Sequence, residues 1–217
     1  VFRKRGGRFY RSSITDWRAG RSPENPHAEF KGDHARGLVW RVDCSMAGIM
    51  SLAFRNFDHS VVVRSAAAEI VGGPTAQVRL LADSSATGGA LSTVRVTLEK
   101  GADGARPHRH DRAAEMFYVL DGVVKFLSGT EIVRAEPGDV IVVPPRLPHA
   151  FSAERGRHAE LLIVIAPGVE RFEYFRQLTR IGRGEVPPES LRHVQDLYDT
   201  YFLDSPEWEI ESQRTGL

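Results

Sequence analysis

Residues Pro107 to Gly122 read PHRHDRAAEMFYVLDG, and their spacing decides the fold. Side chains alternate across a strand, so residues two apart share a face. His108 and His110 therefore point the same way. The run Glu115 to Leu120 (EMFYVL) is aromatic and apolar and stops at Asp121-Gly122, a strong hairpin signal. Glu115 opens that strand, where a neighbouring strand would lie beside the two histidines. Imidazole nitrogen with carboxylate oxygen is a donor set for borderline divalent metals. A second stretch, Gly138 to Ala153 (GDVIVVPPRLPHAFSA), carries His149 near its end. His149 is the expected fourth ligand, remote in sequence and near in space. Phe117 shares a face with Glu115, and Phe151 with His149. Both read either as a substrate wall or as plain barrel core, since small barrels fill with such side chains.

These two stretches resemble the paired motifs of the cupins. The first is commonly written G-x5-H-x-H-x(3,4)-E-x6-G. Here four residues separate His110 from Glu115 and six separate Glu115 from Gly122. The leading glycine is displaced: Ala102 holds its position, flanked by Gly101 and Gly104. The second motif is G-x5-P-x-G-x2-H-x3-N. Gly138, Pro144 and His149 match it, while Arg146 stands for the inner glycine and Ala153 for the asparagine. The departures spare all four ligand positions. The resemblance covers roughly Val61 to Pro167 and is to single-domain cupins of the cupin-2 type, in which the motifs lie close together. It implies one divalent transition metal held by His108, His110, Glu115 and His149. Iron, manganese, nickel, cobalt, zinc and copper all suit such a set.

Working outward, the flanks read as β structure. The runs at 61–63, 76–81 and 91–98 are β-rich and separated by Gly/Pro/Ser turns. In the third, Ser92, Val94, Val96 and Leu98 form one face and Leu91, Thr93, Arg95 and Thr97 the other, as in a wall strand with one buried face. VVKFLSG after Gly122 reads as a second hairpin arm, Gly129-Thr130 as a turn, Ile141 to Val143 as a short buried strand. Ala159 to Ala166 (AELLIVIA) reads as the last strand, buried on both faces. The expected fold is mainly β, a small jelly-roll barrel over residues 55–168. After Pro167-Gly168 the period changes. Val169, Phe172, Phe175 and Leu178 make one helical stripe. A second helix starts at Pro187-Pro188 with Leu191, Val194, Leu197 and Tyr198 on one face. Residues 169–217 are thus a helical segment, expected on the barrel's outside. The stretch PGVERF followed by helix resembles, more loosely, the quercetin dioxygenase-like cupins. His158 and His193 read as surface residues.

Residues 1–54 read as a basic, disordered extension, with ten Lys+Arg against five Asp+Glu, rich in Arg, Gly, Ser and Pro and without either periodicity. A basic arm for an acidic partner is the competing reading. The chain begins with Val and carries Met46 and Met50 internally, so the first fifty residues also read as an upstream extension. The whole chain of 217 residues has a formal net charge of +1, which gives no reason to expect nucleic acid. One cysteine, Cys44, excludes an intrachain disulfide. No apolar run approaches the ~20 residues that span a bilayer, and no signal-peptide core follows the basic start, so a cytoplasmic protein is expected.

The resemblance implies three functional classes. One is a dioxygenase of small aromatic or enolic substrates, with Glu115 both ligand and base for the substrate hydroxyl. The second is a metal-dependent isomerase, cyclase or decarboxylase that consumes no oxygen. The third is a non-enzymatic small-molecule-binding barrel. A homodimer is implied as well. Fold alone does not choose among them.

Overall fold

A computed structural model describes residues 57–215. The expectation for residues 1–54 lies outside the described residues. Eleven strands are described: β1 (Ile70–Gly72), β2 (Ala76–Ala82), β3 (Ser92–Leu98), β4 (His108–Arg109), β5 (Ala114–Gly122), β6 (Val124–Ser128), β7 (Glu131–Ala135), β8 (Val140–Val143), β9 (His149–Ala153), β10 (Ala159–Ala166) and β11 (Tyr201–Phe202). Helices α1 (Phe172–Gly182), α2 (Gln195–Tyr198) and α3 (Pro206–Thr215) follow the barrel, with a 3-10 stretch at Pro188–Val194. The strands form two antiparallel sheets, ordered β1-β2-β3-β10-β5-β8 and β11-β4-β9-β6-β7.

One core lies between the sheets. Leu80, Val94, Val96, Leu98 and Ile163 come from the first sheet, Val124, Phe126, Phe151 and Ala153 from the second. Each such fully buried Val, Leu, Ile or Phe side chain contributes about 1.5–3 kcal/mol. The alternation expected in β3 is present: Ser92, Val94, Val96 and Leu98 are buried while the residues between are half-buried. The β6–β7 hairpin closes through Gly129-Thr130, with Ser128 opposite Glu131.

Other expectations are corrected. Asp121-Gly122 does not make a hairpin, because β5 and β6 belong to different sheets. Gly122 has φ +77°, and a Cβ there would stand 1.9 Å from the carbonyl oxygen of His158. Only glycine lets the chain pass so close while it turns a corner into the other sheet. Residues 61–63 form no strand; a 3-10 turn at Ser65–Ala67 precedes β1. β8 is not buried: it is a sheet edge, with Val140 and Val142 exposed and only Val143 enclosed. β10 is buried on one face, since it alternates buried and half-buried positions until the exposed Ala166. A strand central in its sheet still has an outer face, and here that face is only partly covered. Nor is β10 the last strand, because β11 adds an edge to the second sheet. In α1, Phe172 and Phe175 of the expected stripe pack inward, joined by Tyr174, while Leu178 is exposed; beyond it Leu191, Val194 and Tyr198 pack inward but Leu197 is exposed. The 3-10 stretch resets the helical phase, so the stripe read from a period of 3.6 breaks there. Among the described residues no helix is long and apolar enough to cross a membrane.

Candidate metal centre

Strand pairing assembles the site. His108 on β4 lies directly opposite His149 on β9. The pleat turns His110, just past β4, to the same side. Glu115 opens β5 in the other sheet, paired with Val143 and Ile165, so it reaches the histidines across the core rather than from beside them. The ligand set therefore ties the two sheets together. All four side chains are buried, and one donor atom from each lies within 4.8 Å of the others.

Each imidazole is oriented from behind. His108 Nδ1 donates to Arg106 O at 2.8 Å, His110 Nδ1 to Asp199 O at 2.5 Å, and His149 Nδ1 to Leu147 O at 3.0 Å. A carbonyl only accepts, so Nδ1 carries the proton and Nε2 presents its lone pair, the arrangement seen behind metal-bound histidines. Glu115 Oε2 lies 3.0 Å from His110 Nε2 and 2.8 Å from His149 Nε2. Lone pairs facing a carboxylate repel, unless a cation sits among them or the rings take second protons. Burial, with His149 and His110 alongside, holds His108 well below the usual imidazole range and hence neutral. Burial pushes the Glu115 carboxyl up, but the contacts with His110 and His149 outweigh it and hold it well below the usual carboxylate range. The neutral imidazole of His108 and the ionised carboxylate are the ligating forms. The donor set thus fits one divalent ion, with three nitrogens and one oxygen.

The segment after the barrel holds the site in place, which the sequence did not signal. Asp199 is fully buried, and its carboxylate accepts the backbone N–H of Asp111 (3.0 Å), Arg112 (3.1 Å) and Ala113 (3.1 Å). Those residues form the turn between His110 and Glu115. The same residue supplies the carbonyl that holds His110. β11 then pairs with β4, placing Phe202 opposite His108 and Tyr201 opposite Arg109. Nothing in YDTYF distinguishes Asp199 from any other turn aspartate, and two-residue strands carry no periodicity. Arg146, which stands at the motif's inner glycine, adopts φ +71° and donates its N–H to His110 O at 2.6 Å. The loop keeps a left-handed shape despite the side chain.

A cavity of about 1670 Å³ opens beside the ligands, lined by His108, Glu115, Phe151, Arg171, Tyr174 and Phe175 among others. The helical segment thus forms one wall of the site. Of the two aromatics read from the sequence, Phe151 lines the cavity. Phe117 is wholly buried between Phe126, Phe151 and the His149 ring, and is core beneath the ligands. Gly104 lets its loop lie flat on Phe151, since a Cβ there would meet the ring at 2.4 Å. Arg171, within the PGVERF stretch, went unread as a site residue. It is buried, and its Nη1 lies 3.5 Å from Glu115 Oε1.

No curated protein matches the chain in sequence. Among solved structures it is similar to KdgF from Halomonas sp. (24% identity, TM-score 0.43, covering 49% of this chain and 94% of that one). It is also similar to an RmlC-like cupin from Shewanella frigidimarina (22%, 0.45, 54% and 96%). A third is the polyketide cyclase RemF from Streptomyces resistomycificus (19%, 0.43, 50% and 80%). Likeness at this level says nothing of this chain's chemistry. Residues 94–165 match the family model described as the cupin domain. That match runs from within β3 to within β10, the strands and turns that carry all four candidate ligands, and it identifies this part of the chain as a cupin domain.

Proposed function

We propose that the barrel is a metal-dependent enzyme acting as a dioxygenase on a small aromatic or enolic substrate, with one divalent transition metal on His108, His110, Glu115 and His149. The observation that carries the metal is the convergence of four buried donors, three of them imidazoles whose second nitrogen is already engaged. A divalent ion supplies Lewis acidity and a template for oxygen ligands, and a redox-active one also relays electrons. Glu115, ionised and buried, takes the proton of a substrate hydroxyl at Oε1, the oxygen not turned toward the histidines. The three backbone carbonyls hold the imidazoles in one tautomer through that step. Phe151, with Val94, Val96 and Ile163, gives the cavity apolar walls that exclude water from the substrate's body.

A second reading, a metal-dependent isomerase, cyclase or decarboxylase, draws on the guanidinium of Arg171 beside Glu115. A fixed positive charge there stabilises a developing enolate with no oxygen consumed. The same proposal has the chain working as a cytoplasmic homodimer, the former read by fractionation and the latter by sedimentation.

Elemental analysis of purified protein beside a His108→Ala, His149→Ala double variant comes first, followed by oxygen uptake with flavonols and diketones. About one equivalent of metal, lost in the variant, with substrate-dependent oxygen uptake supports the dioxygenase. Turnover without oxygen uptake moves the site to the second reading. Ligand-induced thermal stabilisation with no turnover of any substrate leaves a binding barrel. No metal after reconstitution overturns all the metal-dependent readings.

A further inference from the structure

Arg171 is a buried charge that the ligand set leaves unused. It precedes α1, is 6% exposed, and is anchored through its backbone, whose N–H donates to Asp83 Oδ1 at 2.8 Å. The side chain is therefore not what holds the chain there. Its guanidinium carbon stands 5.2 Å from the Tyr174 ring centre and 5.4 Å from that of Phe175. Two aromatic faces fix the guanidinium and restrict its freedom. Nη1 reaches Glu115 Oε1 only to 3.5 Å, wider than a charge-assisted hydrogen bond of about 2.7–2.9 Å. Nε–H has no acceptor among the described residues. A guanidinium placed only to neutralise Glu115 would close on it and satisfy its donors.

The charges point the same way. A divalent ion with the Glu115 carboxylate leaves the site at +1, and Arg171 raises it to +2. The other buried carboxylates nearby are already engaged by backbone donors. Asp83 accepts the N–H groups of Ser84, Arg171 and Phe172, and Asp199 those of residues 111–113. Positive charge concentrated where Arg171 meets the ligand set favours an anionic group placed at that point. Val94, Val96, Phe151 and Ile163 give the cavity an apolar stretch of wall, while Asp103, Arg106, Arg192 and Asp204 bring charged groups of both signs to its lining.

We infer that the cavity takes a small organic carboxylate with an apolar, ring-sized body, its carboxylate engaged by the Arg171 guanidinium beside Glu115. Planar two-oxygen groups match the guanidinium fork, which a point charge does not. This inference rests on the metal-site reading above and names the substrate class for it.

The test is calorimetric binding to zinc-loaded protein, with metal content and melting temperature measured on every sample. Benzoate and phenylpyruvate are compared with benzamide and benzyl alcohol as neutral counterparts. Wild type is expected to bind the acids at least about ten-fold more tightly than the neutral compounds. R171M is expected to lose that preference while keeping about one equivalent of zinc. Should R171M not fold, R171K carries the test: it keeps the charge without the fork and is expected to lose about ten-fold in acid affinity alone. Acids bound no better than their neutral counterparts, or a preference that survives R171M at full metal content, would overturn the inference and leave the metal site standing. A preference for acids in protein that holds no zinc would sink the metal reading instead.

Discussion

Replacing Asp199 by asparagine ought to loosen the candidate metal centre without touching a candidate ligand. The carboxylate accepts three backbone N–H groups at 3.0, 3.1 and 3.1 Å from the turn between His110 and Glu115. Asparagine tolerates the left-handed conformation that residue 199 adopts (φ +47°), so the backbone carbonyl that holds His110 stays available. Its single oxygen is best placed where Oδ2 now serves Arg112 and Ala113, and its NH2 then faces the Asp111 N–H. Hydrogen bonds to a charged group contribute about 1.5–3 kcal/mol and neutral ones about 0.5–1.5 kcal/mol. Two weakened bonds and one lost bond come to about 3.5–6 kcal/mol. That lowers the melting temperature by roughly 10–20 °C for a chain of this size. Groups behind a metal ligand typically affect affinity by about 10–100-fold. Competition for zinc against a chromophoric chelator reads the affinity, and a thermal melt reads the stability. Asp199→Ala, which loses all three bonds and adds about 1 kcal/mol of left-handed strain, is expected to be worse on both. If Asp199→Asn melts within about 2 °C of wild type and binds zinc equally well, the clamp has no such role.

Other outcomes follow from single positions. Arg146→Gly relieves a side chain held at φ +71° and is expected to raise stability by up to about 1 kcal/mol in a denaturant titration, with metal content unchanged. Gly122→Ala puts a Cβ 1.9 Å from the His158 carbonyl at φ +77°, and is expected to cost more than about 3 kcal/mol or abolish soluble expression. The hydrogen bond from Arg95, which reaches Glu160 at 2.6 Å, holds the Glu160 carboxyl below its ordinary 4.5. Its contribution is complete above pH 4.5 and fades as pH falls through the lowered folded value. Arg95 is 39% exposed, so screening keeps the pair to about 0.5–1 kcal/mol. Glu160→Gln is expected to be that much less stable at pH 7 and to converge with wild type at low pH; a constant difference across the titration would refute the pairing.

Much of the site was legible because its logic is local. Two histidines two residues apart must share a face of a strand, and Glu115 five residues on must open the next one. His149 needed only its own strand and the family's spacing to be placed with them. The alternation of β3 and the Gly129-Thr130 hairpin were equally local. What the sequence left undecided was set by pairing at long range. Asp121-Gly122 signals a turn in either event; packing against His158 makes it a corner between sheets, and so brings Glu115 to the histidines from across the core. The exposure of β8 comes from its place at a sheet edge, which no run of valines encodes. Asp199 and Phe202 follow the last long strand by more than thirty residues and carry no period or motif of their own, and Arg171, five residues past it within PGVERF, has no spacing that ties it to the ligands. They become parts of the site only because the chain returns over its open side. The candidate ligands were thus chosen by residue type and spacing, while the groups that orient them and shape the cavity were decided by tertiary contacts, whose partners lie roughly 50–90 residues apart.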